Sequence, residues 1–215
     1  MAENQAGIKV NCFVVGMVQT NFYFLYREGS SETIVFDPAD LGGRLCDELE
    51  KRGLTVKAIF LTHAHFDHIM GLEEMKERTG APVYACIHEK RLCESPRLNE
   101  SVSIGRPCTV SVDHWVDDGD EVECAGIRLR TIFTPGHTEG SCAYYIEDGH
   151  ILISGDTLFQ SSIGRSDLPT GDQDTLFKSI RTRLYTLPDD TTVFSGHGDE
   201  TTIAYEKKHN WFVRA

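Results

Sequence analysis

Residues 61–71 read LTHAHFDHIMG, which places three histidines and an aspartate within the six positions 63–68. The whole chain has only nine histidines in 215 residues, so this crowding needs a cause. On an extended backbone alternate side chains share a side, so His63 and His65 can face one ion. Asp67 and His68 follow at the turn into a helix and can face a second. Imidazole and carboxylate donors suit zinc, iron or manganese rather than calcium. Three histidines on a polar loop serve no structural purpose that Ser or Asn would not serve, so metal ligation is the better reading.

A metal site in this stretch requires further ligands, and several apolar runs end in one. AIFLT (58–62) leads to His63, TIFTPG (131–136) to His137, ILISG (151–155) to Asp156, and TVFSG (192–196) to His197. Strand ends that meet at one sheet edge bring distant residues together. Taken singly, a GHT or GD is a common polar turn. Together with residues 63–68 they make five histidines and two aspartates. That is too many donors for one tetrahedral ion, and it suits two ions sharing a bridging carboxylate, for which Asp156 is the candidate. His88, His114, His150 and His209 have no supporting pattern and read as ordinary surface or core histidines.

The runs NFYFLY (21–26), TIVFDP (33–38), AIFLTHAH (58–65), IRLRTIFTPGHT (127–138), HILISGDT (150–157) and TVFSGHG (192–198) read as strands ending in turns. Amphipathic helices are expected over 41–53, 71–80 and 174–188, the last with Leu176, Ile180, Leu184 and Leu187 on one face and a stop at Pro188. Strands interspersed with helices predict one layered α/β domain over residues 1–215. The stretch 91–112 has no regular pattern and reads as a long loop with short helices or a functional role.

Composition narrows the function. With 33 Asp and Glu against 21 Lys and Arg the formal charge is -12, and no basic cluster offers phosphate contacts, so nucleic acid is not an expected partner. The seven cysteines are odd in number and contain no CxxC, which predicts reduced thiols rather than a disulfide frame. The N-terminal MAENQAGIKV has no apolar core of a targeting signal, and no run is long enough to span a membrane. A cytoplasmic protein is expected, and the sequence leaves the oligomeric state open.

THAHFDH (62–68), TPGHT (134–138), SGDTLF (154–159) and SGHGDET (195–201) resemble the successive motifs of the metallo-β-lactamase superfamily. GDTLFQSSIGRSDLPTGD (155–172) and GHGDETTIAYEKKHNWF (196–212) resemble its short, single-domain glyoxalase II-like (hydroxyacylglutathione hydrolase-like) members. The resemblance runs from about Asn21 to the C-terminus. It implies an αββα sandwich of two mixed β-sheets flanked by helices, with metals at one sheet edge. Carried over by position, His63, His65 and His137 bind a first metal, Asp67, His68 and His197 a second, and Asp156 bridges them. The implied cofactors are two divalent ions, zinc first, with iron or manganese as substitutes. The implied reaction is hydrolysis of a small thioester such as S-lactoylglutathione by a metal-bound hydroxide, with Asp67 accepting or relaying the proton.

The sequence departs from the family in places. Full-length glyoxalase II adds a C-terminal helical domain with basic residues for glutathione, whereas this chain ends 18 residues after His197. No such domain is therefore expected. The family's glutathione-contacting Lys and Tyr fall in IGRSD (163–167), where Arg165 offers a substrate-binding cation or a salt bridge to Asp167, and no tyrosine is present. NWFVRA also replaces the usual Asn-Pro-Phe ending. The main alternative is a mononuclear iron persulfide dioxygenase of the same superfamily, with two His and one carboxylate; GRSD suits it, but the last histidine in GHGDET favours two metals. A nuclease fits the acidic charge poorly, a structural zinc site needs only four ligands, and a β-lactamase would carry signs of secretion.

Overall fold

Most of the apolar runs that end in ligand-type residues are strands of two six-stranded sheets in a computed structural model, which describes residues 7–214. The N-terminal stretch considered for a targeting signal lies mostly outside that range. The first sheet runs in the order β1 (Ile8–Val15), β2 (Thr20–Arg27), β3 (Glu32–Phe36), β4 (Thr55–Phe60), β5 (Val83–Cys86) and β6 (His114–Val116). Its pairs are antiparallel as far as β3 and parallel from β3 onward. The second contains β7 (Glu121–Cys124), β8 (Ile127–Phe133), β9 (Cys142–Ile146) and β10 (Ile151–Gly155). A small ribbon of β11 (Leu158–Phe159) and β12 (Ser162–Ile163) precedes its last two strands, β13 (Thr192–Ser195) and β14 (Thr201–Thr202). The order is β14-β13-β10-β9-β8-β7, with β10 and β13 parallel and the other pairs antiparallel.

Strand alternation explains why these sheets stack with helices outside. Along β3 and β4, Ile34, Phe36, Ala58 and Phe60 face the second sheet, where they meet Leu129, Tyr144, Ile151 and Ile153. Their neighbours Val35 and Ile59 point the other way, and the register shift at Lys57 puts Val56 on that side as well. They are covered by Leu45 and Leu49 of α1 (Gly42–Lys51), by α2 (Phe66–Ile69) through Ile69, and by Leu72 and Met75 of α3 (Leu72–Thr79). Leu92 of α4 (Lys90–Cys93) joins the same layer. On the far face, Leu152 and Val193 lie under Leu176 of α5 (Gln173–Ser179) and Ile203 of α6 (Ile203–His209). The four layers are helix, sheet, sheet, helix, as the resemblance implied. Each buried Val, Leu, Ile, Phe or Met among them contributes about 1.5–3 kcal/mol of transfer free energy. Asp172 and Thr202 cap α5 and α6 by accepting from the Thr175 and Tyr205 amides, each worth about 1 kcal/mol.

Two expectations are refined. The helix expected over 174–188 leaves α geometry after Ser179 and continues as a π turn over Ile180–Leu184. Its apolar face survives, because Leu176, Ile180, Leu184 and Leu187 are all buried. The stretch 91–112 is a pinned loop. The Asn99 side chain donates to the Cys108 carbonyl at 2.9 Å, and the Val110 amide donates to the Cys93 carbonyl at 2.9 Å. The Asn99 carbonyl accepts the Phe66 amide at 2.8 Å, which fixes the start of α2. All seven cysteines are unpaired thiols. Among the described residues no helix is long and apolar enough to cross a membrane.

Candidate metal centre

Because β8, β10 and β13 run in one direction, their C-terminal ends share an edge, and there they deliver His137, Asp156 and His197. The other sheet contributes from β4, whose exit at Thr62 is held against β9 by the Cys142 amide at 2.9 Å. His63 and His65 follow in the loop, His65 on extended backbone, and Asp67 and His68 lie on α2, which begins immediately after His65. The seven residues expected from the sequence are thereby brought together from four chain segments.

Their donor atoms form three overlapping groups: His63, His65 and His137; His63, His68 and Asp156; and Asp67, His68 and His197, each within 4.8 Å. In the first, His137 Nε2 lies 2.9 Å from His65 Nδ1 and 3.1 Å from His63 Nε2. In the third, His197 Nε2 lies 3.2 Å from Asp67 Oδ2, and His68 Nε2 lies 3.5 Å from the same oxygen. Asp156 reaches both: Oδ2 is 3.7 Å from His137 and 3.4 Å from His197, and Oδ1 is 3.4 Å from His68. Gly196 makes room for this, since a Cβ there would lie 2.1 Å from Asp156 Oδ1 and 2.7 Å from His68 Cε1.

The outward-facing ring nitrogens decide which way the lone pairs point. His137 Nδ1 meets the Arg165 carbonyl at 2.6 Å, and His197 Nδ1 meets the Gln19 carbonyl at 3.3 Å. A carbonyl only accepts, so both Nδ1 atoms carry hydrogen and both rings turn Nε2 inward. His68 Nδ1 donates in the same manner to Asp37 Oδ2 at 3.0 Å. The Thr62 hydroxyl donates to Asp37 at 2.7 Å and so accepts from His63 Nδ1 at 3.1 Å. Four imidazoles thus aim Nε2 at one small volume. The inner atoms His68 Nε2 and Asp156 Oδ1 are buried and make no hydrogen bond, which is costly unless a cation is held there. The donor set therefore fits divalent ions.

Electrostatics divides the cluster. Burial, reinforced by the neighbouring rings, holds His63 well below the usual histidine range, and burial lowers His65 to about 3 and His137 to a smaller degree. These three are neutral and ready to ligate. Burial also opposes charge on His68 and His197, but the carboxylates prevail: Asp67, Asp156 and Asp37 raise His68 well above its usual value, and Asp156 with Asp67 raises His197 to about 10. Burial resists ionisation of Asp67 and Asp156 too, yet His68 and His197 keep both below the usual carboxylate range.

Arg165 contributes its backbone carbonyl to His137, while its exposed guanidinium pairs with Asp167 at 2.7 and 2.8 Å. His88, His114, His150 and His209 belong to none of the three groups; His88 and His150 pair with Asp117 and Asp190. Sequence reasoning missed Thr20, whose hydroxyl donates to Asp67 Oδ2 at 3.0 Å, and Asp37, which supports Thr62 and His68. Asp37 had a signal: TIVF ends in it just as ILISG ends in Asp156.

Residues 15–197 match the metallo-beta-lactamase superfamily, and the chain belongs to it. It is 43% identical over 201 residues to the probable metallo-hydrolase YqgX of Bacillus subtilis (strain 168), covering 93% of this chain and 94% of that one. Hydroxyacylglutathione hydrolase GloC of Haemophilus influenzae is 29% identical over 211 residues, covering 97% and 99%. Among solved structures, the BLEG-1 B3 metallo-beta-lactamase superposes with a TM-score of 0.91 at 39% identity, over 96% of this chain and all of that one. TTHA1623 in a di-iron-bound form gives 0.83 at 34%, over 95% and 100%. ETHE1 from Myxococcus xanthus gives 0.79 at 28%, over 94% and 83%. The chain thus has the fold and the His/Asp cluster of a metallo-hydrolase superfamily.

Proposed function

We propose that the protein is a dinuclear metallohydrolase that cleaves a small thioester of the S-lactoylglutathione type. In this reading His63, His65 and His137 hold one ion, Asp67, His68 and His197 the other, and Asp156 bridges. The observation that carries it is the position of Asp156, whose two oxygens lie within 3.4–3.7 Å of nitrogens from both sets. The di-iron form of TTHA1623 and the hydroxyacylglutathione hydrolase GloC, both similar along nearly the whole chain, support two ions and a thioester. Zinc is the first choice, with iron or manganese suited to the same donors.

Divalent ions supply an acidic water and polarise a carbonyl oxygen, which is the chemistry that acyl hydrolysis needs at neutral pH. The chain's own residues do the rest. His63, His65 and His137 are kept neutral by burial, and the partners of His63 and His137 fix tautomers that aim lone pairs inward without rearrangement. Asp67 is ionised, and its Oδ2 is fixed by the Thr20 hydroxyl and by His197. That oxygen is the atom at which a proton is held and passed on as the thiol departs. A thiolate needs little such help, because a thiol ionises near pH 8.5. Met17, Phe66, Met70 and Ile104, with Asp40 and Arg106, line a notch beside Asp67. Arg165 is the substrate-side cation of this reading, taking a carboxylate of the thiol portion while Asp167 orients it.

The reading places the enzyme in the cytoplasm, in line with seven unpaired thiols, with a small-molecule thioester and not nucleic acid as its partner. One second reading has specific support: the likeness to ETHE1 fits a mononuclear iron persulfide dioxygenase. Assaying the purified protein with S-lactoylglutathione and, separately, measuring oxygen uptake with glutathione persulfide decides between them. Hydrolysis without oxygen uptake is expected. Oxygen uptake without hydrolysis replaces the thioesterase with the dioxygenase.

A further inference from the structure

Glu89 is a carboxylate with 1% of its surface exposed, in the short turn Ile87–Glu89 after β5, and the proposed chemistry makes no use of it. A buried carboxylate persists only where its oxygens are satisfied. Glu89 Oε1 accepts the Ala64 amide at 2.8 Å, and Oε2 accepts the Thr138 hydroxyl at 2.8 Å. Ala64 stands between His63 and His65, and Thr138 follows His137. A third donor is the Gly140 amide. Gly140 itself lies so close that a Cβ on it would sit 2.2 Å from the Glu89 nitrogen. The Thr138 hydroxyl is also 2.6 Å from the Ser141 hydroxyl, which accepts the Thr138 amide at 3.1 Å. The loop carrying His137 is therefore closed on itself and then fastened to Glu89.

We propose that Glu89 is a positioning residue for the His63/His65/His137 group: one buried carboxylate joins the backbone between the first two histidines to the loop that carries the third. The inference rests on the reading that these three residues hold an ion. The two segments come from different sheets, and no ladder hydrogen bond pairs them at this point. One backbone bond, from the Cys142 amide to the Thr62 carbonyl at 2.9 Å, ties them where the second segment enters β9, and the Glu89 carboxylate is bonded to both segments nearer the histidines. The Asp67/His68/His197 group is supported by other residues, Thr20, Asp37 and the Gln19 carbonyl. Loss of Glu89 should consequently loosen one ion and spare the other.

The test is a Co²⁺ titration of the metal-free chain, followed through the histidine ring protons by NMR so that each group's affinity is read separately. Glu89→Ala is expected to weaken binding at His63/His65/His137 by roughly tenfold to a hundredfold, the usual effect of removing a support behind a ligand, with little change at the other group. Glu89→Gln should recover most of that loss, because its oxygen can accept from Ala64 while its amide donates to a rotated Thr138 hydroxyl. If Glu89→Ala does not fold, Thr138→Val removes one of the three donors and should shift the same group in the same direction. Equal weakening at both groups, or unchanged affinities with only a lowered melting temperature, overturns the positioning role and leaves Glu89 a core residue. A wild-type chain that binds no ion at the three histidines overturns the underlying site reading, and the two failures are distinct.

Discussion

His68 and Asp37 meet at 3.0 Å, ring Nδ1 to carboxylate Oδ2, with both side chains buried. Asp37 also accepts the Thr62 amide at 2.8 Å and the Thr62 hydroxyl at 2.7 Å. One carboxylate at the end of β3 therefore orients a ring in each half of the cluster, His68 directly and His63 through Thr62. Asp37→Asn keeps the shape but substitutes an amide donor for one acceptor, which must then face Thr62 or His68. The expected result is a loss of about 10–100-fold in metal affinity or turnover, with the fold retained. Chelator competition on the purified variant reads this, and affinity within about twofold of wild type would remove Asp37 from the account.

Gly196→Ala tests the close approach behind Asp156. The added methyl would fall 2.1 Å from Asp156 Oδ1, so the carboxylate must move. A displacement of about 1 Å in such a site costs on the order of 100-fold in rate. Turnover of S-lactoylglutathione should fall by about that factor while circular dichroism stays unchanged. Full activity would show that the carboxylate has slack the geometry does not suggest.

Stability should carry the signature of Glu89. Burial pushes its carboxyl up from 4.5 to about 7, with the nearby charge of Glu139 adding to the rise and the Ala64, Thr138 and Gly140 donors pulling against it. The folded chain then holds this proton more tightly than the unfolded chain. The contribution is complete below about pH 4.5 and is lost as pH rises through about 7, a change of about 3 kcal/mol. Urea unfolding of metal-free protein between pH 4.5 and 7.5 should show wild type losing more stability than Glu89→Gln, by up to that amount. Parallel pH profiles would mean that Glu89 does not titrate in this window.

Arg165→Ala separates the side chain of this residue from its backbone. The carbonyl that meets His137 remains, so the centre should stay intact, and only the cation offered to substrate is lost. KM should rise several-fold with kcat nearly unchanged, the pattern of lost uniform binding. A fall in kcat at constant KM would instead mean that the Arg165–Asp167 pair shapes the centre.

Much of the site was legible because its chemistry is concentrated. His63, His65, Asp67 and His68 share one stretch, and His137, Asp156 and His197 each follow an apolar run that the fold turns into a strand. The sandwich was read through family resemblance and outer helices through their 3.6-residue period. Other parts had no local signal. β9 is buried along its whole length, so CAYYI shows no alternation, and β1 is an edge strand whose side chains grade between buried and exposed. The helix over 174–188 keeps its apolar period through a π turn, so periodicity alone missed the change at Ser179. Glu89 and Asp37 are single carboxylates whose partners lie 25–49 residues away in sequence; only the folded chain shows what they hold.

The most direct test of the central claim is metal content per chain, measured on protein purified without added metal, beside the same measurement on Asp156→Ala. The account predicts about two divalent ions in the wild type. It also predicts a marked loss of both in the variant, with hydrolysis abolished, because one carboxylate serves both sets of ligands. A single ion in the wild type, or an Asp156→Ala chain that keeps two ions and near-normal turnover, would contradict the bridged two-ion centre.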